Sequence, residues 1–263
     1  MMNKKSLKNT IYFLCSPSLG LLDNWLPVIW SLKQKKNDLK FIIIFPKPNI
    51  FRQITLSNIL IILGSKIFDN IVLKTEGESW VVADSFSSAI ENNKNSTFER
   101  LLIKVIIKLK KIKFIKIVGN IIQFLYKKYS GYINRKFQFR WEFVKENGLC
   151  LLYDIHDESK PFNLELMKNF KDLPKFSIQH GININDGGVL SIIKKLYRKN
   201  LRKDVKAYLF SSMEIPIYEH KYAVDNSSMQ IVGIPRHRSD WMEFLKLSIY
   251  KHNNKINLPS KGS

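Results

Sequence analysis

The sequence predicts an α/β domain of the doubly wound kind, built on a mostly parallel sheet, and three observations carry that prediction. Seven short β-branched or apolar runs recur along the chain, enough for a sheet. Most are separated by stretches long enough for a helix, giving the rhythm of strand, helix, strand. Several runs are apolar throughout instead of alternating, as parallel strands covered on both faces are.

In chain order the strand candidates are Thr10–Cys15, Lys40–Phe45, Phe68–Leu73, Leu149–Tyr153, Lys175–Ile178, Ala207–Phe210 and Met229–Val232. Helices are expected between them, among others over Asn24–Lys36 and Ile50–Leu63. Residues 86–147 break the rhythm and read as a helical insertion. Phe98–Val144 holds no strong turn signal except Gly119 and Ser130-Gly131, so it predicts two long helices. From Leu101 to Arg140 there is no acidic residue, while lysines and arginines alternate with Ile, Leu, Phe and Tyr.

Composition bounds the function. With 263 residues, 45% of them hydrophobic, the chain can bury a real core, which excludes a disordered tail and a disulfide-stapled miniprotein. Its 43 Lys and Arg against 22 Asp and Glu give a formal charge of +21, so its surroundings are expected to be anionic: nucleic acid, acidic lipid or phosphorylated substrate. Part of that excess reflects A+T-rich codon usage, since Ile, Lys and Asn abound and alanine occurs only at Ala83, Ala89, Ala207 and Ala223. Cys15 and Cys150 lie in apolar stretches and read as free, reduced thiols, hence a cytoplasmic setting. The apolar run after the basic N-terminus, Ile11 to Cys15, is shorter than a signal-peptide core. No window reaches the roughly 18 apolar residues of a spanning helix.

Ligands of doubly wound sheets bind outside the carboxyl ends of the strands, and four such segments hold candidate chemistry. The first, SPSLGLLDNW, follows a strand and opens a helix. It reads either as a bare capped turn, with Asp23 or Asn24 as the cap, or as a contact for acceptor or phosphate through Ser18, Gly20 and Asn24. It lacks the spacing of the dinucleotide fingerprint. The second, Asp154-Ile155-His156-Asp157-Glu158, is either a group for proton transfer or metal binding or an acidic capping loop, and the capping reading is preferred because helix starts favour acids. No metal is expected.

The third segment, FSIQHG, ends an apolar strand in His180 beside Gly181. An imidazole there can act as general base toward a hydroxyl, with Gln179 and Gly181 beside the substrate, or it can be a structural histidine at a turn. The fourth, QIVGIPRHRSDW, turns at Gly233, cannot continue its ladder through Pro235, and offers Arg236 and Arg238 as planar forks for phosphate or as parts of a structural turn.

Taken in order, LGLLDNWLPVIWSL, SIQHGI and IVGIPRHRSDW resemble the N-terminal half of bacterial surface-polysaccharide glycosyltransferases with two Rossmann domains, the GT-B fold. The capsule and lipopolysaccharide enzymes and the CDP-glycerol glycerophosphotransferase-like group are the ones named by the resemblance. It implies that residues 1–241 form a Rossmann-like acceptor-side domain, that His180 is the acceptor-side base, and that Gly20, Asp23 and Asn24 lie in the cleft. Gln179, Gly181, Gly233 and Arg236 join Ser18 as expected substrate-binding residues. A nucleotide-activated sugar is the implied co-substrate, with no resident cofactor. In this family the donor is bound by a second Rossmann domain, whereas 22 residues follow Trp241, so residues 242–263 read as a tail at the start of an absent second domain. A separate donor-binding polypeptide is the expected partner.

The expected function is the acceptor-binding half of a transferase in cell-surface polysaccharide synthesis, acting on a polysaccharide or lipid-linked acceptor. The basic insertion, through Lys104, Lys108, Lys111, Lys127 and Lys128, is expected to hold it peripherally on the anionic inner face of the plasma membrane. Two other classes stand beside this one. A non-catalytic docking or partner subunit would fit the short C-terminus, and a nucleic-acid-binding module would fit the charge and the interleaved aromatics of YINRKFQFRW. No helix-turn-helix, zinc or RNP-type signature accompanies the latter.

Overall fold

The computed structural model describes residues 8–15, 19–75, 79–90, 138–158, 160–178 and 201–253. Apolar runs become eight strands among these residues: β1 Thr10–Leu14, β2 Lys40–Phe45, β3 Asn70–Lys74, β4 Trp80–Ala83, β5 Gly148–Tyr153, β6 Lys175–Ile178, β7 Val205–Leu209 and β8 Met229–Ile231. They form one sheet in the order β4-β3-β2-β1-β5-β6-β7-β8. Every neighbouring pair is parallel except β3 with β4. The fold is a single Rossmann-like α/β domain, as the sequence predicts.

Alternation along β1 builds the two cores. Ile11 and Phe13 face one side, where they meet Trp25, Leu26 and Ile29 of α1 (Leu19–Lys35), Leu63 and Ile67 of α3 (Asn58–Ile67) and Trp241. Tyr12 and Leu14 face the other, against Val144 of α4 (Glu142–Asn147), Leu166 of α5 (Pro161–Lys168), Phe170 and Tyr218 of α6 (Ile215–Tyr222). Helices that follow β1 and β2 cover the first face, and helices that follow β5 and β7 cover the second. From β1 the chain steps to β2 and β3, and from β5 it steps the opposite way. The topological switch therefore lies between β1 and β5.

Several boundaries differ from the sequence expectation, each for a physical reason. Helix α1 starts at Leu19 rather than near Asn24, because Leu21, Leu22, Trp25, Leu26 and Ile29 form one continuous buried stripe that extends the helix toward its start. Pro27 thus sits inside the helix. The single helix expected over Ile50–Leu63 is two, α2 (Pro48–Thr55) and α3, divided where Ser57 caps the second by accepting from the Leu60 N–H at 3.4 Å. Strand β4 was not among the sequence candidates.

Within the expected insertion, residues 86–90 are helical and pack Phe86 on Phe45 and Phe51. Gln138 is extended and bridges to Val81 at the sheet edge, not helical as expected, because Phe139 and Trp141 join an aromatic cluster with Trp80 and Phe170. The remainder, with Lys104, Lys108, Lys111, Lys127 and Lys128, lies outside the described residues. At the other end α7 (Ser239–Asn253) stacks Phe244 on Trp30 and accepts Lys66 at Ser248, so the segment expected as a tail begins as a packed helix. Cys15 and Cys150 are both buried, and neither forms a disulfide. Among the described residues no single helix is long and apolar enough to cross a membrane.

Candidate functional site

The carboxyl ends of β1 and β5 are joined by α1. The Trp25 Nε1–H donates to the carbonyl of Tyr153, the last residue of β5, at 3.3 Å in a buried contact. One turn of helix therefore spans the switch. Pro27 has no N–H to give to the Asp23 carbonyl four residues earlier, so the helix ladder is interrupted just where Asp23 presents its side chain.

The chain leaving β8 returns to the same helix. Gly233 adopts φ +70, a left-handed turn open to glycine at little cost. Pro235 is buried, and the 3-10 turn Pro235–His237 lies against α1. Arg236 Nη1 then donates to Asp23 Oδ2 at 3.2 Å. Two segments singled out from sequence, the first loop and the glycine turn after the last strand, meet in this ion pair.

The structure thus brings Asp23 to Arg236, with Asn24 next to Asp23 in the chain, Gly233 three residues from Arg236 and Gly20 in the first turn of α1. Asn24 is fully buried. Asp23 and Asn24 stand inside the helix, one turn past its start, so neither is the cap that the sequence suggested. Arg236 spends one nitrogen on Asp23, and Arg238 is held by Asp240 at 3.1 and 2.6 Å. Ser18, Gln179, His180 and Gly181 lie outside the described residues.

The acidic loop after β5 has structural partners. Buried Asp154 accepts from the His156 N–H at 2.9 Å and caps a 3-10 turn, Ile155–Asp157, as the capping reading expects. The Ile155 N–H donates to Ser177 Oγ of β6 at 2.9 Å, and His156 Nδ1 lies 2.9 Å from the Tyr222 hydroxyl. Glu158 receives the Tyr153 hydroxyl at 3.2 Å and two nitrogens of Arg202 at 2.7 and 3.1 Å. Arg202 also grips Asp204 through Nε and Nη2, both at 2.9 Å, and buried Lys175 reaches Asp204 at 3.4 Å. The Arg202 hydrogen bonds lead in drawing the Asp204 carboxyl down to about 2. Burial pushes the Tyr218 hydroxyl well up, and the Asp154 carboxylate adds to that. Among the described residues no group of three or more His, Cys, Asp or Glu side chains is placed to hold a metal.

Sequence reasoning missed Trp25, Tyr153, Ser177 and Arg202. Trp25 stands in the LLDNW run, yet its partner is a backbone carbonyl 128 residues away. Arg202 meets Glu158 across 44 residues, and nothing local marks the pairing. Comparison of the chain with protein-family models, with curated proteins and with solved structures finds no match among them.

Proposed function

We infer that this domain is the acceptor-binding half of a metal-independent glycosyltransferase in cell-surface polysaccharide synthesis, completed by a donor-binding partner. The observation that carries the reading is the Asp23–Arg236 pair, which gathers the first and last of the three resembling segments at the carboxyl edge of a doubly wound sheet, the edge where such folds bind ligands. In this reading His180 takes the proton of an acceptor hydroxyl while that oxygen attacks the anomeric carbon of a nucleotide-activated sugar. The bond from that carbon to the leaving phosphate breaks, and the partner stabilises the phosphate. Ser18, Gly20, Gln179 and Gly181 contact the acceptor, whereas Asn24 is buried away from it, and the basic insertion keeps the domain at an anionic membrane where lipid-linked acceptors reside.

Deletion of the gene tests this. The surface glycan of the deleted strain is expected to lose a sugar, restored by the wild-type chain and not by His180→Ala at equal protein level. An unchanged glycan in the deleted strain would overturn the reading.

A further inference from the structure

One large feature of the described residues starts at the carboxyl-edge site, with which it shares Trp25, Pro235 and Arg238, and runs away from it beneath α1. A cavity of about 600 Å³ opens on the sheet face that carries α1. Leu152, Phe176, Ile178 and Tyr208 form its floor. Trp25 and Val28 of α1 wall one side, and Val232, Ile234 and Pro235 wall the other. The rings of Phe176 and Tyr208 lie nearly parallel, with centroids 6.2 Å apart. Pro174 and Ile178 mark its length along β6, four residue steps or about 13 Å. The volume suits a small ligand, for which pockets run from about 300 to 1,000 Å³.

The lining states the chemistry of the occupant. Burial pushes the Cys150 thiol up to about 12, so it stays neutral and belongs to the apolar wall. Among the described residues no carboxylate lines the groove, and the one charged lining residue is Arg238, at the carboxyl edge. Asp240 takes its Nε and Nη2, leaving Nη1 to donate elsewhere. Lys206 is exposed on the same face, beside Phe176 in the strand register. A sugar or a nucleobase would leave most of its polar groups unpaired against these walls, at a cost that apolar contact does not repay. A hydrocarbon chain loses nothing there, and an anionic head finds Arg238.

We propose that this groove binds a single-chain amphiphile with an anionic head, a long-chain carboxylate or phosphate monoester, its head at Arg238 and its chain running along β5 and β6. The proposal concerns binding alone and does not depend on the transferase reading.

Calorimetric titration of the full chain with dodecanoate and with dodecyl phosphate, each below its micelle concentration, tests it, with dodecyltrimethylammonium as the cationic control. The expected result is saturable one-to-one binding of at least one anion, the tighter of the two identifying the head, and binding of the cation at least about tenfold weaker. Arg238→Gln is expected to weaken the anion by about tenfold. Val28→Trp and Val232→Trp, which fill the groove from opposite walls, are each expected to abolish binding in protein whose circular dichroism is unchanged. Absence of saturable binding of either anion, as when residues of the chain itself fill the groove, would overturn the proposal. So would equal binding of the cation, or anion binding that both folded filling variants retain.

Discussion

Arg236 and Asp23 are separated by 213 residues in the chain and by 3.2 Å between Nη1 and Oδ2. The pair joins the segment leaving the edge strand β8 to the second turn of α1, beside the switch between β1 and β5. Their side chains are 36% and 47% exposed, so water screens the attraction. A double-mutant cycle of Asp23→Ala and Arg236→Ala, followed by urea unfolding, is expected to return a coupling of about 0.2–1 kcal/mol. A coupling several times larger would contradict a screened pair and would mean that the contact holds the fold together.

Asp204 predicts an acid-side change in stability. Its carboxyl is drawn from 3.8 to about 2 in the folded chain, chiefly by the Arg202 hydrogen bonds. A group with a depressed folded value stabilises above its unfolded value and loses that contribution as pH falls through the folded one. The window is thus about pH 4 down to about pH 2. Asp204 is half exposed, so its contribution is expected to stay below about 1 kcal/mol. The melting temperature of wild type is expected to exceed that of Asp204→Asn at pH 5 and to converge with it at pH 2. A difference that stays constant across the window would contradict the assignment.

Two glycines are expected to resist substitution for different reasons. At Gly233 a Cβ would meet nothing within 4 Å, but φ +70 strains any L side chain. Gly233→Ala is therefore expected to cost about 1–2 kcal/mol through backbone strain alone. At Gly148 the Cβ would collide with the Val144 carbonyl and lie 2.8 Å from a Leu173 methyl. Gly148→Ala is expected to cost more, about 3 kcal/mol, since α4 and β5 must separate. Chemical denaturation of both variants checks the order, and the reverse order would contradict it.

The basic insertion gives a prediction about membranes. Charge reversal to Glu at Lys104, Lys108, Lys111, Lys127 and Lys128 is expected to abolish co-sedimentation with phosphatidylserine vesicles, since each lysine near an anionic surface contributes about 1 kcal/mol. Raising the salt is expected to weaken wild-type binding in the same direction. Undiminished co-sedimentation of the fivefold variant would remove these residues from membrane attachment.

The strands were legible where composition and position agreed. The runs KFIIIF and KFSI are strands over the same residues in the structure, because buried parallel strands need no alternation to be recognised. WVVA was too short and too close to the polar stretch before it to stand out, and its antiparallel pairing with β3 comes from tertiary contact. A cap at Asp23 or Asn24 argued for a later start of α1 than the structure has. The buried stripe from Leu21 to Ile29 outweighs that preference. At the site, Asp23 and Arg236 each drew attention through their local segments, yet their meeting depends on β8 lying beside β7 and on the next turn reaching across to α1. No local pattern encodes that distance, nor the reach of Arg202 to Glu158.

The transfer reaction itself tests the central claim most directly. Purified chain, combined with the polypeptide that co-purifies with it from its own cells, is supplied with labelled nucleotide sugars and a membrane extract as acceptor. Label is expected in the lipid-extractable or polysaccharide fraction. His180→Ala, folded as wild type by melting temperature, is expected to lower the rate by about 10²- to 10⁴-fold, the range for loss of a general base. A reconstituted protein that transfers no sugar, or a His180→Ala variant that transfers at the wild-type rate, would contradict the account.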